Sequence, residues 1–199
     1  ADAFGDEWVE APAEDPGQID LQNATMLHLA RVDQPGIPRV VPTLTGADRG
    51  TVEVAGQKTP MRLVTWIGGK PLAEAPRSLG QLANLGRFMG SLTRSMQGFG
   101  HPRAFRPDFP WSLDHVIQLR DHVEDIADPT RRAMVDRLFA RYEAHVLPRL
   151  PTLRASVLHQ DANDNNVIIT KGDPDRIAGL IDFGDMCFGR TVNELAITL

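Results

Sequence analysis

Cysteine is almost absent from the 199 residues: Cys187 stands alone. No internal disulfide can form, which fits a reducing compartment such as the cytoplasm, and Cys187 reads as a small packing residue rather than a reactive thiol. Basic runs are missing too. With 21 Lys and Arg against 26 Asp and Glu, the formal charge is -5 and the isoelectric point about 5.6. Proteins organised around phosphate-backbone contacts display a basic stripe, so nucleic acid is not an expected partner. No apolar stretch approaches the roughly 20 residues that cross a bilayer. Residues 1–11 lack the basic region and apolar run of a secretory signal. A soluble protein with no membrane partner is expected. Disorder and fibres fit poorly with 42% hydrophobic and 24% charged residues, which is an ordinary globular composition.

What is present is punctuated by turn formers. After Pro16-Gly17, the near-helical spacing of Leu21, Ala24, Leu27 and Ala30 predicts a helix over 18–31 that packs on a sheet. Antiparallel strands are predicted over 39–45, 51–54 and 61–67, separated by the turn-rich 46–50 and by Gly56-Gln57. At Gly68-Gly69-Lys70-Pro71 the pattern turns helical, so a boundary is placed there, dividing 1–67 from 68–199. Ser78 and Gln81 have capping-box spacing ahead of Leu82, Leu85, Met89, Leu92 and Met96, a helix that should stop at Gly98 and Gly100. Another helix is predicted from Ser112, burying Leu113, Val116, Ile117 and Val123. A third follows Asp128-Pro129, with Leu138, Phe139, Tyr142 and Val146 facing the core. Strands return over 156–159, 167–170 and 177–181, the last two joined as a hairpin across Lys171-Gly172-Asp173-Pro174.

The chemistry-bearing residues lie at the ends of these last strands, where rigid elements support functional loops. One loop reads His159-Gln160-Asp161-Ala162-Asn163-Asp164-Asn165-Asn166; the hairpin ends in Ile181-Asp182-Phe183-Gly184-Asp185. An H-x-D loop, an Asn five residues after its Asp, and a later D-F-G together reproduce the order found in phosphoryl-transfer enzymes. A transferring phosphoryl group spreads negative charge over its oxygens, which Mg²⁺ neutralises while hard oxygen ligands hold the ion. Asn166 and Asp182 supply such oxygens. Asp161 is then the candidate base, orienting an acceptor hydroxyl and taking its proton. A calcium loop is the rival, since Asp161, Asn163 and Asn165 occupy its first, third and fifth positions. It fails because Asn166 stands where glycine is required and Gly172 where a bidentate Glu is required. As turn formers alone, these residues would not come in this ordered series.

The strings Asp161-Ala162-Asn163-Asp164-Asn165-Asn166 and Ile181-Asp182-Phe183-Gly184-Asp185-Met186 resemble the aminoglycoside phosphotransferase and choline kinase-like enzymes, most of all the hydroxylysine kinase branch and the kinase-like domains fused to aminotransferases. Asp20-Leu21-Gln22-Asn23, Leu85-Gly86-Arg87-Phe88-Met89-Gly90 and Asn193-Glu194-Leu195-Ala196 extend the resemblance over about 15–199. It implies a two-lobed α+β fold of protein-kinase type, with a partial sheet lobe (1–67) and a mainly helical lobe (68–199). The implied activity is transfer of the γ-phosphate of ATP or GTP, with Mg²⁺, to a hydroxyl of a small molecule. By position, Asp161 is the base and Asn166 and Asp182 are the metal ligands. Thr65, Trp66 and Ile67 fall where the inter-lobe hinge meets the nucleotide base, His159 stabilises the catalytic loop, and Glu194 braces it. Asp185 either attracts a substrate amine or caps the turn. The concentration of Asp161, Asp164, Asp182 and Asp185 favours an amine-bearing acceptor such as an amino alcohol, because focused negative charge enriches a cation.

The resemblance also implies a lysine on an early strand, gripping the nucleotide phosphates. In its place stands Gly5-Asp6-Glu7-Trp8-Val9-Glu10, and Lys58 is the first lysine. The favoured expectation is that these residues belong to a longer chain, and a nucleotide-binding pseudokinase or regulatory module is the alternative. A metal-dependent phosphate hydrolase would use similar ligands with no acceptor.

Overall fold

The computed structural model describes residues 7–10, 16–54 and 56–199. Helix α1 (Pro16–Arg31) buries Leu21, Met26 and Leu29, whereas Leu27 and Ala30, expected inward, are only partly covered. The long strand β4 (Gln57–Thr65) organises the first sheet: β1 (Glu7–Glu10), β2 (Val40–Val41) and β3 (Gly50–Val54) all pair with it antiparallel. Val64 sits opposite both Trp8 and Val40, so the second half of β4 is paired on both sides. The strand expected over 39–45 shrinks to two residues because Pro38 and Pro42 bracket it and neither can donate to a ladder. Beyond it the Thr43 N–H donates to Ala47 O (2.8 Å), making a turn where strand was expected.

A three-stranded sheet follows, with β7 (Val167–Thr170) between β5 (Lys70–Pro71) and β8 (Asp173–Leu180); β6 (Ala155–Leu158) pairs with β9 (Cys187–Arg190) in a separate ribbon. The β7–β8 hairpin turns through Lys171-Gly172, where Gly172 takes φ +89°. At Gly69 a Cβ would lie 2.2 Å from Ile169 O, so only glycine lets β5 lie against β7. Neither β5 nor β9 is legible from the sequence pattern: the first is two residues long, and the second, Cys187-Phe188-Gly189-Arg190, has no turn signal ahead of it other than Gly184-Asp185.

Helix α2 (Leu79–Ser95) starts as predicted, with Ser78 Oγ accepting from Gln81 N (3.0 Å). The box is half made, because the Gln81 amide donates to Pro174 O (2.9 Å) instead of returning to Ser78. With Asn84 donating to Asp175 O (2.8 Å), this side chain fastens the helix start to β8. Leu85, Met89, Leu92 and Met96 enter one core with Leu21 and Met26 of α1, Val64 of β4, Val167 and Ile169 of β7, and Leu180 of β8. Leu82, expected with them, is half exposed.

The segment predicted as a helix from Ser112 is a 3₁₀ helix over Leu113–Asp125, and of its apolar residues only Val123 is buried. Tertiary ties compete with a regular ladder there: Leu113 O accepts from the Tyr142 hydroxyl (3.2 Å), and Asp114 accepts from Arg190 N (3.2 Å) and Asn193 Nδ2 (2.9 Å). Helix α3 (Pro129–His145) is capped by Asp128, whose Oδ1 accepts from Thr130 N (2.8 Å) and Arg131 N (3.2 Å). It buries Phe139, but Leu138 and Val146 are exposed, contrary to the predicted core face. A short α4 (Val192–Thr198) carries Glu194 inward.

Candidate active site

Two turns meet here, 159–166 between β6 and β7 and 181–186 between β8 and β9. The register Val167↔Leu180 places Asn166 across from Ile181, whose N–H donates to Asn166 O (3.0 Å), one residue from Asp182. His159 ties the same turns together from below. Burial pushes its imidazole from 6.5 down to about 4, so it is neutral: Nε2–H donates to Ile181 O (3.1 Å) while Nδ1 accepts from Asp161 N–H (3.2 Å). Phe183 meets its ring edge-on at 4.7 Å.

Between them Gln160 holds φ +71°, a left-handed conformation uncommon for a side chain of this size. Its N–H donates to Glu194 Oε1 (2.7 Å). Burial raises the Glu194 carboxyl from 4.5 to about 7, against the lowering effect of the Gln160 and His159 backbone N–H groups.

Asp161 is held from two directions. Asn163 Nδ2 donates to its Oδ1 (2.7 Å), and Asn166 Nδ2 donates to its Oδ2 (2.6 Å) and to its backbone O (2.9 Å). Each carboxylate oxygen keeps acceptor capacity for a further proton donor. With Nδ2 turned to Asp161, the Asn166 amide has Oδ1 left for another partner. Asp182, at φ +60°, accepts from Gly184 N (3.1 Å) through Oδ1, which leaves Oδ2. Two hard oxygens therefore suit a divalent cation. Among the described residues no group of three or more His, Cys, Asp or Glu is placed to hold a metal. Mg²⁺ does not need one, since it is commonly bound through one or two protein oxygens with phosphate and water completing its shell. In the calcium-loop reading the oxygens of Asp161, Asn163 and Asn165 would converge; instead Asn163 Oδ1 accepts from Asn165 N (2.8 Å) and its amide serves Asp161.

A cavity of about 300 Å³ opens beside Asp182, lined among others by Arg62, Val64, Thr65, Trp66, Ile67 and Phe183. Thus the three residues assigned by resemblance to the nucleotide base share one cavity with the D-F-G turn. A larger groove of about 710 Å³ runs along α2 and α4 past Leu82, Met89 and Leu195. It holds none of the candidate base or metal ligands, so the smaller cavity is the chemically equipped one.

Several residues at this site are given no phosphoryl-transfer role by sequence spacing. Asn163 is one. Arg77 is another: it pairs with Asp164 at 2.8 Å, while Asp164 O accepts from Ala73 N (2.8 Å), so one of the four clustered acids is already balanced. Arg62, buried, is held by Gln22 and by Asn23 Oδ1 (3.1 Å). Asp20, on the same helix as Gln22 and Asn23, pairs with Arg49. The early strand β1 lies outside what periodicity shows; its register sets Glu10 opposite Arg62.

Known proteins match most of the chain. Hydroxylysine kinase of Mus musculus is 28% identical over 200 residues, covering 92% of this chain and 52% of that protein. Hydroxylysine kinase of Danio rerio is 30% identical over 201 residues, covering 95% and 56%. The chain spans about half the length of the curated relatives it matches. The solved structure of a microcompartment-associated aminopropanol kinase superposes with a TM-score of 0.68 at 21% identity, over 96% of this chain and 61% of that one, which establishes a shared kinase-like α+β fold. Residues 9–199 match the model of the phosphotransferase enzyme family, APH, and the chain belongs to that family.

Proposed function

We propose that the protein is a small-molecule kinase that moves the γ-phosphoryl group of ATP or GTP to a hydroxyl of an amine-bearing acceptor, a hydroxylysine-like compound or another amino alcohol. The observation that carries this is the hydrogen-bonded unit of Asp161, Asn166 and His159, which couples a candidate base to the D-F-G turn. Asp161, already oriented by two amides, accepts the acceptor's O–H and takes its proton as the oxygen attacks the γ-phosphorus, whose bond to the β–γ bridging oxygen breaks to release the nucleoside diphosphate. Asn166 and Asp182 would hold Mg²⁺, which neutralises charge on the phosphoryl oxygens. Thr65, Trp66 and Ile67 line the place of the nucleotide base. We read 1–67 as the sheet lobe with this hinge and 68–199 as the helical lobe. His159 and Glu194 act by fixing the loop rather than by touching substrate.

The amine follows from a shortened charge count. Asp164 is balanced by Arg77, and the acids Asp161, Asp182 and Asp185, concentrated on the two adjoining turns, favour a cationic acceptor because focused negative charge enriches it. The names of the relatives, hydroxylysine kinase and aminopropanol kinase, point to the same acceptor class. Nucleotide consumption measured with ATP and GTP against amino alcohols, homoserine, aminoglycosides and neutral sugars tests the reading. Acceptor-dependent turnover with an amino alcohol supports it, and preference for a neutral sugar refutes the amine. Nucleotide binding without turnover would favour a pseudokinase, a reading to which the lysine-free strand β1 lends support. Turnover indifferent to acceptor would indicate a phosphate hydrolase.

A further inference from the structure

The geometry points to Arg106 as a positioning residue for Asp182, setting the affinity of the divalent-cation site. The inference rests on the kinase reading above and names a part of the machinery to which no motif or resemblance assigns a role. Arg106 lies 78 and 80 residues before the two carbonyls that it touches, in the irregular segment between α2 and the 3₁₀ helix. Its Nη1 donates to two carbonyls, Gly184 O at 3.2 Å and Met186 O at 3.1 Å, on either side of Asp185. Its guanidinium carbon stands 3.7 Å over the centroid of the Phe109 ring, which is itself buried. Phe109 is in turn fixed through its carbonyl, which accepts from Ser112 N (3.2 Å) and the His115 ring (3.1 Å). The cation is therefore held on a rigid aromatic shelf and fastened to backbone.

What the clamp holds is a turn in an unfavourable conformation. Asp182 occupies the left-handed region at φ +60°, kept there in part by the Gly184 N–H on its own carboxylate. Fixing Gly184 O from the far side fixes the next peptide plane, and fixing Met186 O joins the turn to β9, whose first residue Cys187 pairs with Leu158 just ahead of His159. Arg106 thus braces from outside a ring made by β6, His159, Ile181, the D-F-G turn and β9, which pairs back to β6. Without it Gly184, whose N–H holds the Asp182 carboxylate, would lose the tie on its carbonyl, and that hydrogen bond would stand with less support. A carboxylate free to rotate loses ordering entropy on each metal-binding event, which weakens binding. Removing partners that orient metal ligands typically costs about 10- to 100-fold in affinity.

The test reads metal binding directly. Mn²⁺ is titrated into wild-type protein and Arg106→Met in the presence of a non-hydrolysable ATP or GTP analogue, with free Mn²⁺ followed by its paramagnetic resonance signal. Mg²⁺ activation of turnover is measured alongside. Arg106→Met should weaken Mn²⁺ binding about tenfold and shift the Mg²⁺ requirement by the same factor, while rate at saturating Mg²⁺ and metal-free analogue binding change little. Arg87→Met, which removes an exposed arginine of α2 and leaves both carbonyls held, should bind Mn²⁺ as wild type does. A folded Arg106→Met with wild-type Mn²⁺ affinity overturns the inference, even if its melting temperature has fallen. Should Arg106→Met not fold, Phe109→Leu removes the shelf and keeps the arginine; a several-fold loss of Mn²⁺ affinity supports the clamp and an unchanged value overturns it. Wild-type protein that binds no Mn²⁺ with either analogue and consumes no nucleotide would sink the kinase reading and this inference with it.

Discussion

Asp161 illustrates how much at one residue is supplied by its neighbours. Its type and offset are legible in the sequence, but the two amides that orient it are not, since Asn163 and Asn166 read equally well as turn formers. In the proposed mechanism the carboxylate does its work when the acceptor hydroxyl gives up its proton, so Asp161→Asn removes a term present in the transition state more than in the ground state. The amide would keep acceptor geometry on one oxygen and lose the base. Turnover should fall by about 10² or more while nucleotide affinity stays within about twofold of wild type. Steady-state rates beside calorimetric nucleotide binding measure this, and an unimpaired Asp161→Asn would remove the residue from its role. Asn163→Ala, which frees one carboxylate oxygen from its partner, should show a smaller loss, about tenfold.

Among the elements, those with strong periodicity were legible and those shaped by tertiary bonds were not. The starts of α1 and α2 are legible to within two residues because Pro16-Gly17 and Ser78 mark them and apolar residues recur behind. The β7–β8 hairpin followed from Gly172 between two apolar runs. By contrast β5 and β9 exist because a partner strand is there to receive them, and the 3₁₀ stretch 113–125 departs from an α-helix because Tyr142, Arg190 and Asn193 draw on its first residues. The α2 cap joins both kinds of information: Ser78 is a local signal, yet its hydroxyl also donates to Asp175 on β8. Ser78→Ala therefore loses a cap bond and a tertiary bond to a carboxylate. It should lower unfolding free energy by roughly 2 kcal/mol, toward the upper end of the range for a cap alone. Ser78→Asp, a good cap for the helix but like-charged to Asp175, should restore little of it. Urea unfolding of both variants decides, and full recovery with Asp would show that the cap alone matters.

At the scale of the molecule, the buried brace beneath the catalytic loop predicts how stability responds to pH. His159 and Glu194 pull in opposite directions. Because the folded His159 titrates at about 4 rather than 6.5, its contribution is fully present above pH 6.5 and is lost as pH falls toward 4. Because the folded Glu194 titrates at about 7 rather than 4.5, its contribution is present below pH 4.5 and is lost as pH rises through 7. Between pH 4.5 and 6.5 the two slopes have equal size and opposite sign, so the pair together leaves stability nearly flat. Glu194→Gln breaks the balance. Its amide oxygen still accepts from Gln160 N–H, which keeps the left-handed residue in place, but it has no charge to bury. With His159 acting alone, the variant should gain stability steadily from pH 4.5 to 6.5. Its difference from wild type should grow from near zero at pH 4.5 to the order of 3 kcal/mol at pH 8, at about 1.4 kcal/mol for each unit of displaced pKa. Urea midpoints for both proteins at pH 4.5, 5.5, 6.5 and 8 measure that difference. Parallel curves would mean that Glu194 is ionised in the folded protein across the whole range, and that the Gln160 and His159 N–H groups outweigh its burial.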